Sequence, residues 1–287
     1  MSKWIVLTLI AVGCVLLAVG NGALWLELNV FNADRFGDHV VQGLQSPAAS
    51  DALAEKVVDV LMAEMPDLPP LARLPAREVV SWSLQRPLFA GPFQETAALA
   101  LNAMTTSTED VVGIDLADKL STLGATVAGA IAVVAPESGE AAQDAISAAI
   151  ESSQVSGRLA VYESGRFPKL RTLSSIAPWA ALLSLVAAIV LFYIATNRSA
   201  DPHEAVAYSA LGVMITAVLG ILIVVPLVRS SVENGVVDPN MQVVAGEIAS
   251  VFVRTYAVQS LILFTIGVAV LVINSLRGTD QEQAIAA

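Results

Sequence analysis

Four stretches of the chain, 4–24, 176–196, 207–228 and 256–276, carry no charged residue and are apolar almost throughout. A hydrocarbon layer roughly 30 Å thick is crossed by about 20 residues at ~1.5 Å each, and in lipid the segment must satisfy its own backbone hydrogen bonds. The pattern therefore predicts four transmembrane helices. Between the second and third lies only Asn197-Arg198-Ser199-Ala200-Asp201-Pro202-His203-Glu204, short enough to require an antiparallel helical hairpin. Pro178 falls in the first turn expected for the second span, where its missing N–H is tolerated, beside Trp179 at the interface.

From residue 26 to about 175 the pattern changes to one-face helical spacing. Phe36, Val40, Val41 and Leu44 mark one amphipathic helix, and Leu53, Val57, Val60, Leu61 and Met65 mark a second. Ser46-Pro47 supplies a cap and a first-turn proline for the second, and Pro66-Asp67-Leu68-Pro69-Pro70 ends it. A short helix over 76–85, a break at Gly91-Pro92 and a helix bearing Phe93, Ala97, Leu101 and Met104 follow. Asp115 can cap a helix carrying Leu116, Leu120, Leu123 and Val127, and Ser138 one carrying Ala142, Ala145, Ile146, Ala149 and Ile150. Val111-Val112-Gly113-Ile114 and the segment 157–163 read as short strands that pair. The fold class expected is mainly α: a four-helix transmembrane region plus a mostly helical domain with at most a short two-stranded ribbon.

Ahead of the fourth span, Met241, Val244, Ile248, Val251 and Phe252 share one face. This predicts that the helix starts near Pro239 and that its first turns pack on the helical domain. Met241, Val244, Ile248 and Phe252 are accordingly the candidate interaction or packing residues. The expected organisation is a first span over 1–25, the helical domain over 26–175, the hairpin over 176–228, a short segment with an amphipathic helix over 229–255, and the fourth span with its tail over 256–287.

Composition agrees with a membrane protein: of 287 residues 55% are hydrophobic and 14% charged, mean hydropathy is +0.69, and the charged share is well under the ~25% of soluble domains. Net charge is −11, with the acidic excess between Glu27 and Glu163, so a phosphate backbone is not an expected partner. The small basic cluster Arg166, Lys169 and Arg171 reads as the interfacial flank of the second span. Lys3, Arg198 and Arg277 flank one set of span ends and Arg229 and Arg254 the other. The positive-inside rule then puts both termini in the cytoplasm and the large domain outside it. The first span reads as a retained anchor rather than a cleaved signal, and Cys14 within it as a lipid-facing thiol rather than an acylation site, because the apolar run continues past it. With one cysteine the chain forms no internal disulfide.

Candidate chemistry is sparse. The two histidines, His39 and His203, fall on opposite sides of the membrane in this topology, which argues against a histidine metal site. No nucleophile elbow, phosphate loop, dinucleotide fingerprint or zinc-protease helix is present. Glu109, Asp110, Asp115 and Asp118 form the densest acidic patch, without the spacing of a calcium loop, and read as a solvated turn and helix start. The spans hold no ionisable residue; Asn21, Thr216, Gln259 and Asn274 are polar residues of the kind that pack helices together.

Asn32-Ala33-Asp34-Arg35-Phe36 soon after the first span, Leu44-Gln45-Ser46-Pro47, Val112-Gly113-Ile114-Asp115-Leu116 and Leu159-Ala160-Val161-Tyr162-Glu163-Ser164, in this order, resemble a group of uncharacterised actinobacterial four-span integral membrane proteins with a large extracytoplasmic loop domain. The resemblance covers nearly the whole chain and implies a bacterial cell-membrane location with the loop domain outside; it implies no catalytic residue. The function expected is that of a non-enzymatic envelope protein whose extracytoplasmic domain binds another envelope protein or a second copy. It needs no cofactor or metal and has the lipid bilayer as its surroundings. The alternative is an oligomeric channel or transporter subunit with a path lined by Asn21, Thr216, Gln259 or Asn274.

Overall fold

The computed structural model describes residues 2–64, 73–106, 111–114, 154–155, 158–163, 170–236 and 238–286, together with Gly129, Ala132 and Asp144. The chain is mainly helical. Helix α1 (Lys3–Trp25) widens into a π turn (Leu26–Val30); α2 (Ala33–Leu44), α3 (Pro47–Glu64), α4 (Arg73–Leu84) and α5 (Pro87–Thr106) follow. Three short strands, β1 (Val111–Ile114), β2 (Gln154–Val155) and β3 (Arg158–Glu163), precede α6 (Leu170–Arg198), α7 (Pro202–Gly235) and α8 (Pro239–Ala286). Among the described residues, four helical stretches are long and apolar enough to cross a membrane: Lys3–Val30, Leu170–Arg198, Pro202–Gly235 and Pro239–Arg277.

Each of these helices outruns its apolar core, because the flanking polar residues continue the helix at little intrinsic cost. One expectation changes as a result: α6 begins at Leu170, so Pro178 sits inside the helix rather than in its first turn. Interior prolines are tolerated in apolar helices where neighbouring side chains satisfy the freed carbonyl. The chain divides into two compact units, one of residues 1–29, 173–227 and 253–287, the other of 30–172 and 228–252.

In the first unit four helices pack together. Val6 and Ile10 of α1 meet Ala195 of α6 and Ala205 of α7, with Phe192 and Tyr208 against them. A Cβ at Gly20 would lie 3.1 Å from the backbone nitrogen of Leu185, so only glycine lets α1 come this close to α6. Lys3 pairs with Glu204, whereas Asn21 and Trp25 meet Gln259 and Thr255. His203, at the start of α7, meets Asn274 late in α8. Helices α1 and α7 therefore run in one direction and α6 and α8 in the other. The start of α1, the α6–α7 connection and the Asn274 end of α8 share one end of the bundle.

Among the described residues of the second unit, two linked cores form. Leu44, Ala49, Ala52 and Val244 form one, with Val40, Leu53, Phe93, Met241 and Ile248 packed on it. Ala54, Val80 and Leu84 form the other, and Leu53 and Phe93 touch both. The helix entries follow sequence signals: the Asn32 side chain accepts from the Arg35 N–H at 3.0 Å, and Ser46 Oγ accepts from the Ala49 N–H at 3.2 Å ahead of Pro47. The break expected at Gly91-Pro92 is not there. Helix α5 starts at Pro87 and runs through both residues, and the interruption falls at Gln85-Arg86, just before a first-position proline.

The ribbon has three strands rather than two, in the order β1-β3-β2. β1 and β3 pair antiparallel with an irregularity at Val112/Gly113, and β2 pairs with β3 in the tight register Val155↔Arg158 that a two-residue separation allows. Two residues of strand are too few for a period to be read in the sequence. The helices expected after Asp115 and Ser138, the proline run 66–70, the acidic patch and Arg166 with Lys169 lie outside the described residues.

Candidate functional sites

In the second unit, the amphipathic start of α8 is set by Asp238. Its Oδ1 accepts from the N–H groups of Asn240 and Met241, at 2.9 and 3.2 Å, capping the helix ahead of Pro239. Its Oδ2 receives the Lys56 ammonium of α3. The Lys56 hydrogen bond, followed by the backbone donors, holds the Asp238 carboxyl below the usual carboxylate range, and the same bond raises the lysine. Met241 and Ile248 pack on the core that contains buried Val244. Phe252 is buried with its ring 5.5 Å from that of Phe36, and the His39 ring stands edge-on to it at 5.1 Å. Partial burial depresses the His39 pKa below the ordinary histidine value, opposed by neighbouring Asp38.

A polar clamp between α3 and α4 escaped the sequence reading. Ser50 is fully buried and Ser81 nearly so; Ser81 Oγ donates to Asp51 Oδ1 at 2.5 Å, and Gln85 Nε2 donates to Ser50 Oγ at 2.8 Å. Serine, aspartate and glutamine here satisfy one another across two helices, which is packing chemistry. The signal for it was Ser50-Asp51 and Ser81 breaking otherwise apolar faces. Leu74, at the start of α4, and Trp82, near its end, are exposed, 69% and 58% accessible, and the Arg86 guanidinium lies 4.1 Å from the centre of the Trp82 ring.

Several polar residues of the first unit pair within the chain. Gln259 Nε2 donates to both the carbonyl and Oδ1 of Asn21, each at 2.9 Å, and Trp25 Nε1 donates to Thr255 Oγ1 at 3.0 Å. Thr216 returns its hydroxyl to the Gly212 carbonyl. At the other end Asn274 Nδ2 donates to the His203 carbonyl at 3.0 Å, and its Oδ1 lies 3.1 Å from His203 Nδ1, an arrangement that places a proton on that nitrogen. Lys3 binds Glu204, which also accepts from the Tyr208 hydroxyl at 2.7 Å, beside a cavity of about 120 Å³. Among the described residues no group of three His, Cys, Asp or Glu side chains is placed to hold a metal ion. Comparison with protein-family models, with curated proteins and with solved structures finds no match to this chain.

Proposed function

We propose that this chain is a non-enzymatic membrane protein of the bacterial cell envelope, with the second unit outside the cytoplasm and both termini inside, and that the second unit binds a protein partner or a second copy through α4. The carrying observation is the exposed face formed by Leu74, Trp82 and the stacked Arg86. Tryptophan and arginine are the residues most enriched where interface energy concentrates, and an apolar ring left in water is favourable to cover. The intrachain pairing of Asn21 with Gln259 and of His203 with Asn274 supports this reading over a channel, since those groups already have partners in one chain. The order of motifs, which resembles that of four-span actinobacterial membrane proteins, supports the same orientation.

Crosslinking in native membranes, followed by affinity recovery, tests the interaction: a discrete higher-mass species should form and should be lost in Trp82→Ala. Recovery of monomer alone, under conditions that hold known envelope complexes together, overturns it. For orientation, a cysteine at exposed Asp34 in a Cys14→Ser background should react with an impermeant thiol reagent in intact cells and one at Ser199 should not. The reverse pattern inverts the topology.

A further inference from the structure

A groove of about 560 Å³ runs between α1 and α7 in the first unit. Its walls are apolar and open to the sides: Val15, Val19 and Ile223 line it and are 64%, 51% and 61% accessible. Along α7 it extends from Gly212 to Val224, roughly 18 Å at ~1.5 Å per residue, close to the ~15 Å depth of one leaflet of hydrocarbon.

Such a groove would also suit a transmembrane helix from another copy, through close contact at small residues. Two of the α7 glycines are already used. A Cβ on Gly212 would lie 2.5 Å from Cys14 Sγ, and one on Gly220 would lie 2.6 Å from the Tyr256 hydroxyl, so the space above both is filled by side chains of the same bundle. Gly22 on the α1 wall is different, with nothing within 4 Å of an added Cβ.

Tyr256 supplies the second observation. It lines the groove, is 3% accessible, and its ring is held edge-on against Trp25. Its hydroxyl makes no hydrogen bond to any described residue. A phenol hydroxyl that opens on an apolar groove without a partner is unfavourable in lipid, and a hydrocarbon chain alone would not relieve it. A partner oxygen carried on an apolar chain would. Trp25 and Tyr256 lie at the end of the bundle opposite Lys3 and Glu204, the level at which interfacial aromatics meet the ester region of a leaflet.

We propose that this groove is a phospholipid site: one acyl chain lies between α1 and α7, and its ester carbonyl accepts a hydrogen bond from the Tyr256 hydroxyl. The site rests on the reading that these helices span a membrane. The test uses the full chain in phosphatidylcholine–phosphatidylglycerol vesicles doped with a phospholipid bearing a photoactivatable group in its acyl chain, with adducts mapped by peptide mass spectrometry. Adducts on α1 and α7 should saturate and be displaced by unlabelled phospholipid, whereas those on exposed Leu182 and Leu183 of α6 should rise in proportion to probe. Gly22→Leu, whose Cβ meets nothing within 4 Å, should narrow the open wall and abolish the saturable adduct. Tyr256→Phe, which keeps the ring on Trp25, should weaken it about fivefold, the worth of one ordinary hydrogen bond.

Proportional labelling on all helices overturns the proposal, as does a crosslink between two copies through α1 or α7 in place of a lipid adduct. Equal saturation in Tyr256→Phe and wild type overturns the carbonyl contact. Absence of adducts on α6 as well means the membrane reading itself has failed, a result separable from failure of the groove alone.

Discussion

Replacing Gly43 with alanine adds one methyl where α2 meets α8, and the structure says where it goes. That Cβ would lie 2.5 Å from the Ile248 Cα, 2.8 Å from its Cγ1 and 2.9 Å from its backbone nitrogen. Carbon atoms rest about 3.5–4.0 Å apart, so the two backbones must separate by roughly 1 Å. No rotamer change helps, because the nearest atom is main chain. Overpacking of this kind costs about 1–3 kcal/mol, and contact with backbone on both sides argues for the upper part of that range. Against it stands the helix preference of alanine over glycine, up to ~1 kcal/mol. The net loss is about 2 kcal/mol, which for a unit of this size lowers the unfolding midpoint by roughly 4–8 °C.

Gly246 is the control on the partner helix: it lies within α8, and an added Cβ meets nothing within 4 Å. There the propensity gain stands alone, and Gly246→Ala should raise the midpoint by roughly 2–4 °C. Pulse proteolysis of the full chain in detergent over a temperature series reads both. The double variant Gly43→Ala/Ile248→Ala should not recover, since trimming the Ile248 side chain leaves its Cα in place. If Gly43→Ala unfolds at or above the midpoint of Gly246→Ala, the close crossing of α2 and α8 is wrong.

Ile248→Asp removes a packed side chain and introduces a charge beside the Leu44–Val244 core, a loss of roughly 3 kcal/mol or more; proteolysis of the second unit should rise while membrane insertion is unchanged, and wild-type behaviour of both Ile248→Asp and Val251→Asp would refute the packing. His39 has a folded pKa below the ordinary histidine value of about 6.5, so the unfolded chain binds the extra proton; stability should be full above that value and decline as pH falls through the folded one, a slope that His39→Gln should flatten in urea titrations at pH 7.5 and 5. Asn21→Leu and Gln259→Leu should each destabilise the first unit by about 1–2 kcal/mol by stranding the other amide, and the double variant should recover part of the loss; strict additivity in a double-mutant cycle would deny the pair.

What was legible in the sequence follows from how strong each local signal is. Four charge-free runs of helix-spanning length admit one backbone solution in lipid, so the four helices could be read directly. The start of α8 was readable because Pro239 and the spacing of Met241, Val244 and Ile248 agree, although the ion pair of Asp238 with Lys56 was not: it joins residues far apart in sequence, and neither partner looks unusual alone. Gly91-Pro92 misled because both residues disfavour helices. Pro92, sixth in α5, gives up one backbone hydrogen bond, and tertiary packing of Phe93 and Leu101 outweighs that loss. The α3–α4 clamp was hidden because serine is common on exposed faces, and only burial reveals Ser50 as a structural hydroxyl.

The polar content of the apolar helices carries the remaining argument. In hydrocarbon each amide or hydroxyl without a partner is costly, so its environment states its role. Asn21 and Gln259 bind each other, Asn274 binds His203, and Thr216 bonds back to its own helix, which removes the candidate pore-lining groups one by one from a demand for water. Fully buried Ser260 and Tyr256, one turn apart on α8, lie outside these pairs. Ser260 has the option of its own helix backbone after a small rotation, as serines in apolar helices commonly do. Tyr256 has no such option, because its hydroxyl stands a whole ring away from its own main chain and points at Gly220. At the proposed lipid site that hydroxyl stands at the edge of the groove, within reach of a lipid carbonyl.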